Sequence, residues 1–184
     1  MECKLAVVVF CTFVVGFADA ATTTYDVWKV LSGNEEFFML NRTYVRPPGG
    51  NECAYMKRKS KDDSKHELTT QMGYRKNDTK EFRSGTYTVT ASQGEGESVY
   101  SEMTVKGGQL PGTGVKYRLV FSNGDGCNVL QVKGGGLDGH CELWAPVSQA
   151  PAQATQCSNS MPESCGSIQE SPYKGDCKIP TASS

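Results

Sequence analysis

Val115-Lys-Tyr-Arg-Leu-Val-Phe121, Ser122-Asn-Gly-Asp-Gly126, Cys127-Asn-Val-Leu-Gln-Val132, Lys133-Gly-Gly-Gly-Leu-Asp-Gly-His140 and Cys141-Glu-Leu-Trp-Ala-Pro-Val147 follow one another without interruption. The first, third and fifth segments read as short strands. The two between them are rich in Gly, Asn and Asp, the residues that turn a chain. The same alternation extends upstream through Phe37–Val45, Cys53–Lys59, His66–Tyr74, Phe82–Ala91 and Ser98–Lys106. Its breaks fall at Pro47-Pro-Gly-Gly50, Lys76-Asn-Asp78, Gly94-Glu-Gly96, Gly107-Gly108 and Pro111-Gly112. Eight strands roughly a dozen residues apart, with no helical pattern between them, predict an all-β up-and-down antiparallel barrel or a sandwich.

Both ends depart from this pattern. Met1–Ala20 has a basic Lys4, an apolar run from Leu5 to Phe17 and an Ala18-Asp19-Ala20 cleavage site, the layout of a secretory signal. Residues 21–184 are then a single exported domain. Thr24–Leu31 predicts a short helix capped by Thr24 and stopped at Gly33, with Val27, Trp28, Val30 and Leu31 on one face against a larger body. Ala150–Ser184 is rich in Ser, Pro, Gln and Ala and cannot fold alone, although 151–156 has room for a helical turn or two.

Composition excludes several functions. Without the signal, acidic and basic residues are equal in number. That balance argues against nucleic acid and anionic membranes as partners, because both call for an excess of Lys and Arg. After Cys3 and Cys11 leave, Cys53, Cys127, Cys141, Cys157, Cys165 and Cys177 remain, an even set that predicts three disulfides and no catalytic thiol. His66 and His140 have no ligand spacing around them, so neither a metal site nor a cofactor is expected. No nucleophile elbow, phosphate loop or close carboxylate pair is present, and the chain does not read as an enzyme.

Asn41-Arg-Thr43 and Asn77-Asp-Thr79 are glycosylation sequons. Asn77 falls in a turn. Asn41 falls in a strand, so a glycan there requires its face to meet solvent and sends Phe38, Leu40, Arg42 and Tyr44 to the other face.

Cys127-Asn-Val129, then Cys141-Glu-Leu-Trp144, then Cys157, resembles the tick salivary lipocalins that include the histamine-binding proteins. The aromatic strand Phe37-Phe-Met-Leu-Asn-Arg-Thr-Tyr44 after Asp26-Val-Trp28 is similar too. The resemblance implies an eight-stranded lipocalin-like barrel, large enough for one small ligand. It also implies the pairs Cys53–Cys177, Cys127–Cys157 and, for the remaining two, Cys141–Cys165. Cysteines that clamp a tail face outward, so Asn128, Leu130, Val132, Glu142 and Trp144 should face the lumen.

The expected ligand residues are therefore Glu142, Trp144, Tyr44, Asn128, Arg42 and Phe38. A buried ammonium needs a carboxylate and gains from an aromatic face, tasks suited to Glu142 and Trp144, with Tyr44 as a further wall. Relatives use several acids, whereas this chain has Asn128 in place of one and Arg46 near another. Histamine or serotonin is the first expectation. Arg42 opens an anionic lipid as the alternative, with Arg42 either holding the head group or neutralising Glu142. Surface loops that bind a host protein are a third reading, and the protein is expected to act as a secreted monomer.

Overall fold

The computed structural model describes residues 23–34, 36–46 and 51–181; the signal, the 47–50 turn and the last three residues lie outside them. Eight antiparallel strands pair in chain order and close into a barrel: β1 (Glu36–Arg42), β2 (Asn51–Asp62), β3 (Glu67–Lys76), β4 (Phe82–Ser92), β5 (Glu102–Gly107), β6 (Val115–Ser122), β7 (Asn128–Lys133) and β8 (Cys141–Pro146). Closure comes from β1 pairing with β8. The alternative of two packed sheets is thereby settled in favour of the barrel.

Helix α1 (Val27–Gly33) plugs one end. Its cap is Asp26, not Thr24: the Asp26 carboxylate accepts from the Lys29 N–H at 3.0 Å, and Gly33 is the last helical residue. Val27 and Leu31 are buried on the cavity floor. The Val27 N–H donates to the Tyr100 carbonyl at 2.7 Å. Arg58 donates to the carbonyls of Leu31 and Ser32 at 3.2 and 3.0 Å, satisfying groups that a helix C-terminus leaves open.

The inner face of the barrel carries Phe37, Met56, Leu68, Val89, Met103, Val105 and Leu119. A second cluster lies outside the wall, where Phe38, Leu40, Tyr55, Val129, Leu143 and Ala145 are covered by the C-terminal segment. That segment runs through helix α2 (Ala150–Gln156) and is held by the disulfides Cys53–Cys177, Cys127–Cys157 and Cys141–Cys165. The first spans 124 residues of sequence. On the chain-entropy account it stabilises the fold by about 4–5 kcal/mol.

Strand β1 is thus buried on both faces, and two expectations for it are corrected. Phe37 and Met39 line the cavity, whereas Phe38 faces outward against Tyr173, with ring centroids 5.5 Å apart. A bulge between Met39 and Asn41 then shifts the alternation by one residue. Arg42 consequently lies on the cavity wall and Asn41 turns away from it, but Asn41 does not meet solvent. It is only 6% exposed, and its side-chain oxygen accepts from the Ser171 hydroxyl at 2.7 Å.

The same segment seals a seam. β1 and β2 pair only through Glu36–Phe38 and Tyr55–Lys57 before separating. Glu170 and Pro172 fill the gap: the Arg42 N–H donates to the Glu170 carbonyl at 2.9 Å, and the Cys53 N–H donates to the Pro172 carbonyl at 2.8 Å. The Arg42 guanidinium, fully buried, is ion-paired with the Glu170 carboxylate. Glu170→Ala should leave that guanidinium without its partner and cost about 2 kcal/mol in urea denaturation, a figure reduced for the partial exposure of Glu170. Arg42→Met, which removes the charge but keeps volume, should cost less. For the sequons, glycopeptide mapping of the exported protein should find a glycan on exposed Asn77 and none on Asn41.

Candidate ligand cavity

The barrel encloses a cavity of about 780 Å³. Such a volume lies in the range of pockets that take up ligands of drug or lipid size, about 300–1,000 Å³. Its depth is apolar: Met39, Met56, Met72, Met103, Leu119 and Leu130 stand above the α1 floor. Methionine is flexible and polarizable, so this lining adapts to irregular apolar shapes. The opposite end is polar and open, with Arg46, Asn51, Lys76, Arg83 and Gln109 around the mouth.

Near that mouth Glu142 projects inward, 3% exposed. Its two carboxylate oxygens have separate donors. The Tyr44 hydroxyl donates to Oε1, and the Trp144 indole N–H donates to Oε2 at 3.0 Å. Each position follows from register: Glu142 lies opposite Arg42 on β1 and Leu130 on β7, and Trp144, two residues along the same strand, shares its face. Glu142, Trp144 and Tyr44, expected to act together, are indeed brought together.

Asn128 also lines the cavity, but its side chain is committed to the wall. Its oxygen accepts from Ser122 at 2.8 Å, and its amide donates to the carbonyls of Gly126 and Trp144 at 3.3 and 3.4 Å. Arg42 reaches the lining yet spends its charge on Glu170, so it neutralises neither Glu142 nor an incoming anion; its guanidinium also lies 5.2 Å over the Tyr44 ring. Phe38 does not reach the cavity.

Two residues that sequence reasoning did not select belong here. Tyr117 lines the cavity, and burial, followed by the nearby Glu142 charge, pushes its hydroxyl well above the ordinary tyrosine range. Arg46 stands at the mouth. Burial draws its guanidinium down, but the Tyr44 hydroxyl and the Glu142 carboxylate outweigh this and leave it raised. In the sequence Arg46 reads only as a basic residue near where relatives place an acid. Tyr117 sits at an alternating position of β6, and the β6–β7 register puts it opposite Val132, beside the β7–β8 wall.

Among the described residues, the one group close enough to hold a metal is Cys53, Cys177 and Asp176. Its two sulfurs are bonded to each other and supply no thiolate.

A family model described as tick histamine binding protein matches residues 18–179. The chain belongs to that family. Among solved structures, this tick histamine-binding family member is similar to japanin from Rhipicephalus appendiculatus bound to cholesterol. The two share 12% identity over 78% of this chain and 95% of that one, with a TM-score of 0.55. It is also similar to the major allergen Per a 4 from cockroaches, at 11% identity over 83% and 92% of the two chains and a TM-score of 0.51. Identities this low show a common fold, a lipocalin-like barrel. Among curated protein sequences none matches it. No described helix is long and apolar enough to cross a membrane.

Burial, then the Glu142 charge, also raises the Tyr44 hydroxyl beyond the range in which free tyrosine ionises. Two hydroxyls are therefore protonated in the folded protein at pH values where the unfolded chain has released those protons. Stability is fully present below about pH 10 and declines as pH rises beyond it. In alkaline unfolding curves, Tyr44→Phe and Tyr117→Phe should each flatten that decline. Ultraviolet titration should show fewer tyrosines ionising before unfolding than after it.

Proposed function

We propose that this protein is an exported, monomeric lipocalin that sequesters an amphipathic lipid with an anionic head group. The observation that carries the reading is the charge of the cavity lining: with Arg42 and Arg83 paired to Glu170 and Glu81, Arg46 and Lys76 remain against the single lining carboxylate Glu142. A lipid tail in the methionine-lined depth would leave its head group at the mouth, where Arg46 and Lys76 have no ion-pair partner among the described residues. This transfers the anchoring role from Arg42, which Glu170 occupies, to Arg46. The cholesterol held by japanin supports a lipophilic ligand in a barrel of this build. The signal-like Met1–Ala20 and three disulfides support export, and the family supports a salivary source. Sequestration of this kind is stoichiometric.

The second reading is an amine, histamine or serotonin, at Glu142. It is favoured by the carboxylate's burial beside Trp144 and Tyr44 and by the family. An ammonium would use the lone pairs that Tyr44 and Trp144 leave free, with the indole face alongside. Cavity size counts against it, since one small amine leaves most of 780 Å³ unfilled. An open cavity also counts against host-protein binding by surface loops as the sole activity.

Calorimetric titration separates these readings. With a long-chain fatty acid or leukotriene, Arg46→Ala and Lys76→Ala should each weaken binding about tenfold, with Glu142→Gln neutral or favourable. If an amine is the ligand, Glu142→Gln should instead cost about 3–5 kcal/mol, more than a hundredfold, and Arg46→Ala should be neutral or favourable. Absence of heat with both ligand classes would sink both readings.

A further inference from the structure

The charge balance of residues 21–184 conceals an uneven distribution of unpaired cations that appears only when the barrel forms. At the mouth end stand Arg46 and Lys76 on the lining, with exposed Arg83, Lys106, Lys116 and Lys133 around the rim. The acids there are Asp78, Asp138, Glu142 on the lining, and four that are paired: Glu81 to Arg83 at 3.2 Å, Glu52 to Arg75 and Lys80, Asp176 to Arg75 and Glu170 to Arg42, so Arg46, Lys76, Lys106, Lys116 and Lys133 are left without an ion-pair partner among the described residues. The plugged end carries Asp26, Asp62, Asp63, Glu95 and Glu97 together with Lys29, Lys59, Lys61, Lys65 and Arg118, and there Asp62, Asp63 and Glu97 are paired to Lys65, Lys61 and Arg118. Lys116 and Lys133 are also direct cross-strand partners on β6 and β7. Neither has an acid within ion-pairing distance among the described residues. Like charges placed opposite each other in an antiparallel ladder oppose the fold, so an external anion between them would be favourable.

Apolar exposure follows the same geography. The two large hydrophobic side chains that stand exposed among the described residues are Val45, at 59%, and Phe82, at 37%. Val45 precedes Arg46 at the exit of β1. Phe82 opens β4 opposite Arg75. Both therefore lie at the open end, beside the cavity mouth, and none lies at the plugged end.

We infer that the mouth rim is a docking surface for an anionic lipid bilayer. Val45 and Phe82 enter the head-group region while the rim cations meet lipid phosphates and carboxylates, so the cavity opens directly onto the membrane. This is the arrangement expected of a basic surface with interspersed apolar side chains at an interface. It goes beyond the cavity reading, because docking needs only the rim and would hold for either class of internal ligand.

Co-sedimentation with vesicles tests it. The unmodified protein should bind phosphatidylcholine vesicles containing phosphatidylserine, bind pure phosphatidylcholine far less, and lose the difference in high salt. Each basic residue near an anionic surface is worth about 1 kcal/mol, or about fivefold in binding. The double variant Lys116→Gln, Lys133→Gln should therefore bind about 25-fold more weakly, and it should fold at least as well because a like-charge pair is gone. Val45→Asp with Phe82→Asp should also abolish docking. Lys29→Gln with Lys59→Gln, at the plugged end, should change nothing. Equal binding to both vesicle types, or equal loss in the plugged-end variant, would overturn the inference. So would a rim-dependent dimer seen by analytical ultracentrifugation in place of vesicle binding. A cavity-blocking Met103→Trp variant keeps the two proposals apart: it should lose ligand heat but keep docking, whereas the rim variants should lose docking and keep ligand heat.

Discussion

Burial of β1 on both faces is the constraint from which the rest of the structure follows. A barrel strand ordinarily meets the lumen on one side and water on the other, and a sequence can then alternate. Phe37-Phe-Met-Leu40 does not alternate, so two hydrophobic layers must be built around it: the lumen inside and the C-terminal segment outside. Without the outer layer Phe38, Leu40, Val129 and Leu143 would face water. With it, a polar, proline-rich tail that lacks a core of its own gains a fixed place.

The Arg42–Glu170 pair and the three disulfides are best understood as the fastening of that outer layer. The disulfides reduce the freedom of a tail that would otherwise be costly to order. The ion pair and the backbone bonds of Glu170 and Pro172 supply the partners that β1 and β2 lose where they separate, so buried N–H groups at the seam are satisfied. One consequence reaches the cavity. An arginine that points toward the lumen is removed from ligand chemistry because the tail, arriving more than a hundred residues later in sequence, claims its charge.

These long-range facts divide what the sequence made legible from what it did not. Strand existence and order were readable because turn-forming residues punctuate every segment. The motif around Cys127, Cys141 and Cys157 identified the barrel, and the pairing it implied is the pairing formed. Glu142, Trp144 and Tyr44 were readable as a cluster for the same reason. Phe38 was misplaced because a single-residue bulge changes which face each side chain takes, and no sequence feature near Leu40 announces it. Asn41 was expected in solvent because a sequon says nothing of a tail that later covers it. Arg46 as a mouth residue and Tyr117 as a neighbour of Glu142 depend on closure, which brings distant strands together.

Glu142 is the residue on which the chemistry of the cavity turns. A buried carboxylate needs hydrogen-bond donors in place of its water shell. Here a phenol hydroxyl and an indole N–H solvate it, and Arg46 adds a positive charge at the mouth without a direct bond. Tyr44 and Trp144 are neutral donors, so they stabilise the negative charge without cancelling it, and the field they leave reaches Tyr117. A ligand cation would answer that field at Glu142, whereas a ligand anion would be driven away from it toward Arg46 and Lys76. For the anionic lipid we propose, the carboxylate would thereby set the orientation: the head group would be held at the mouth and the apolar chain directed past Trp144 into the depth, because the reverse orientation would bring negative charge against Glu142 and leave the mouth cations without an anion.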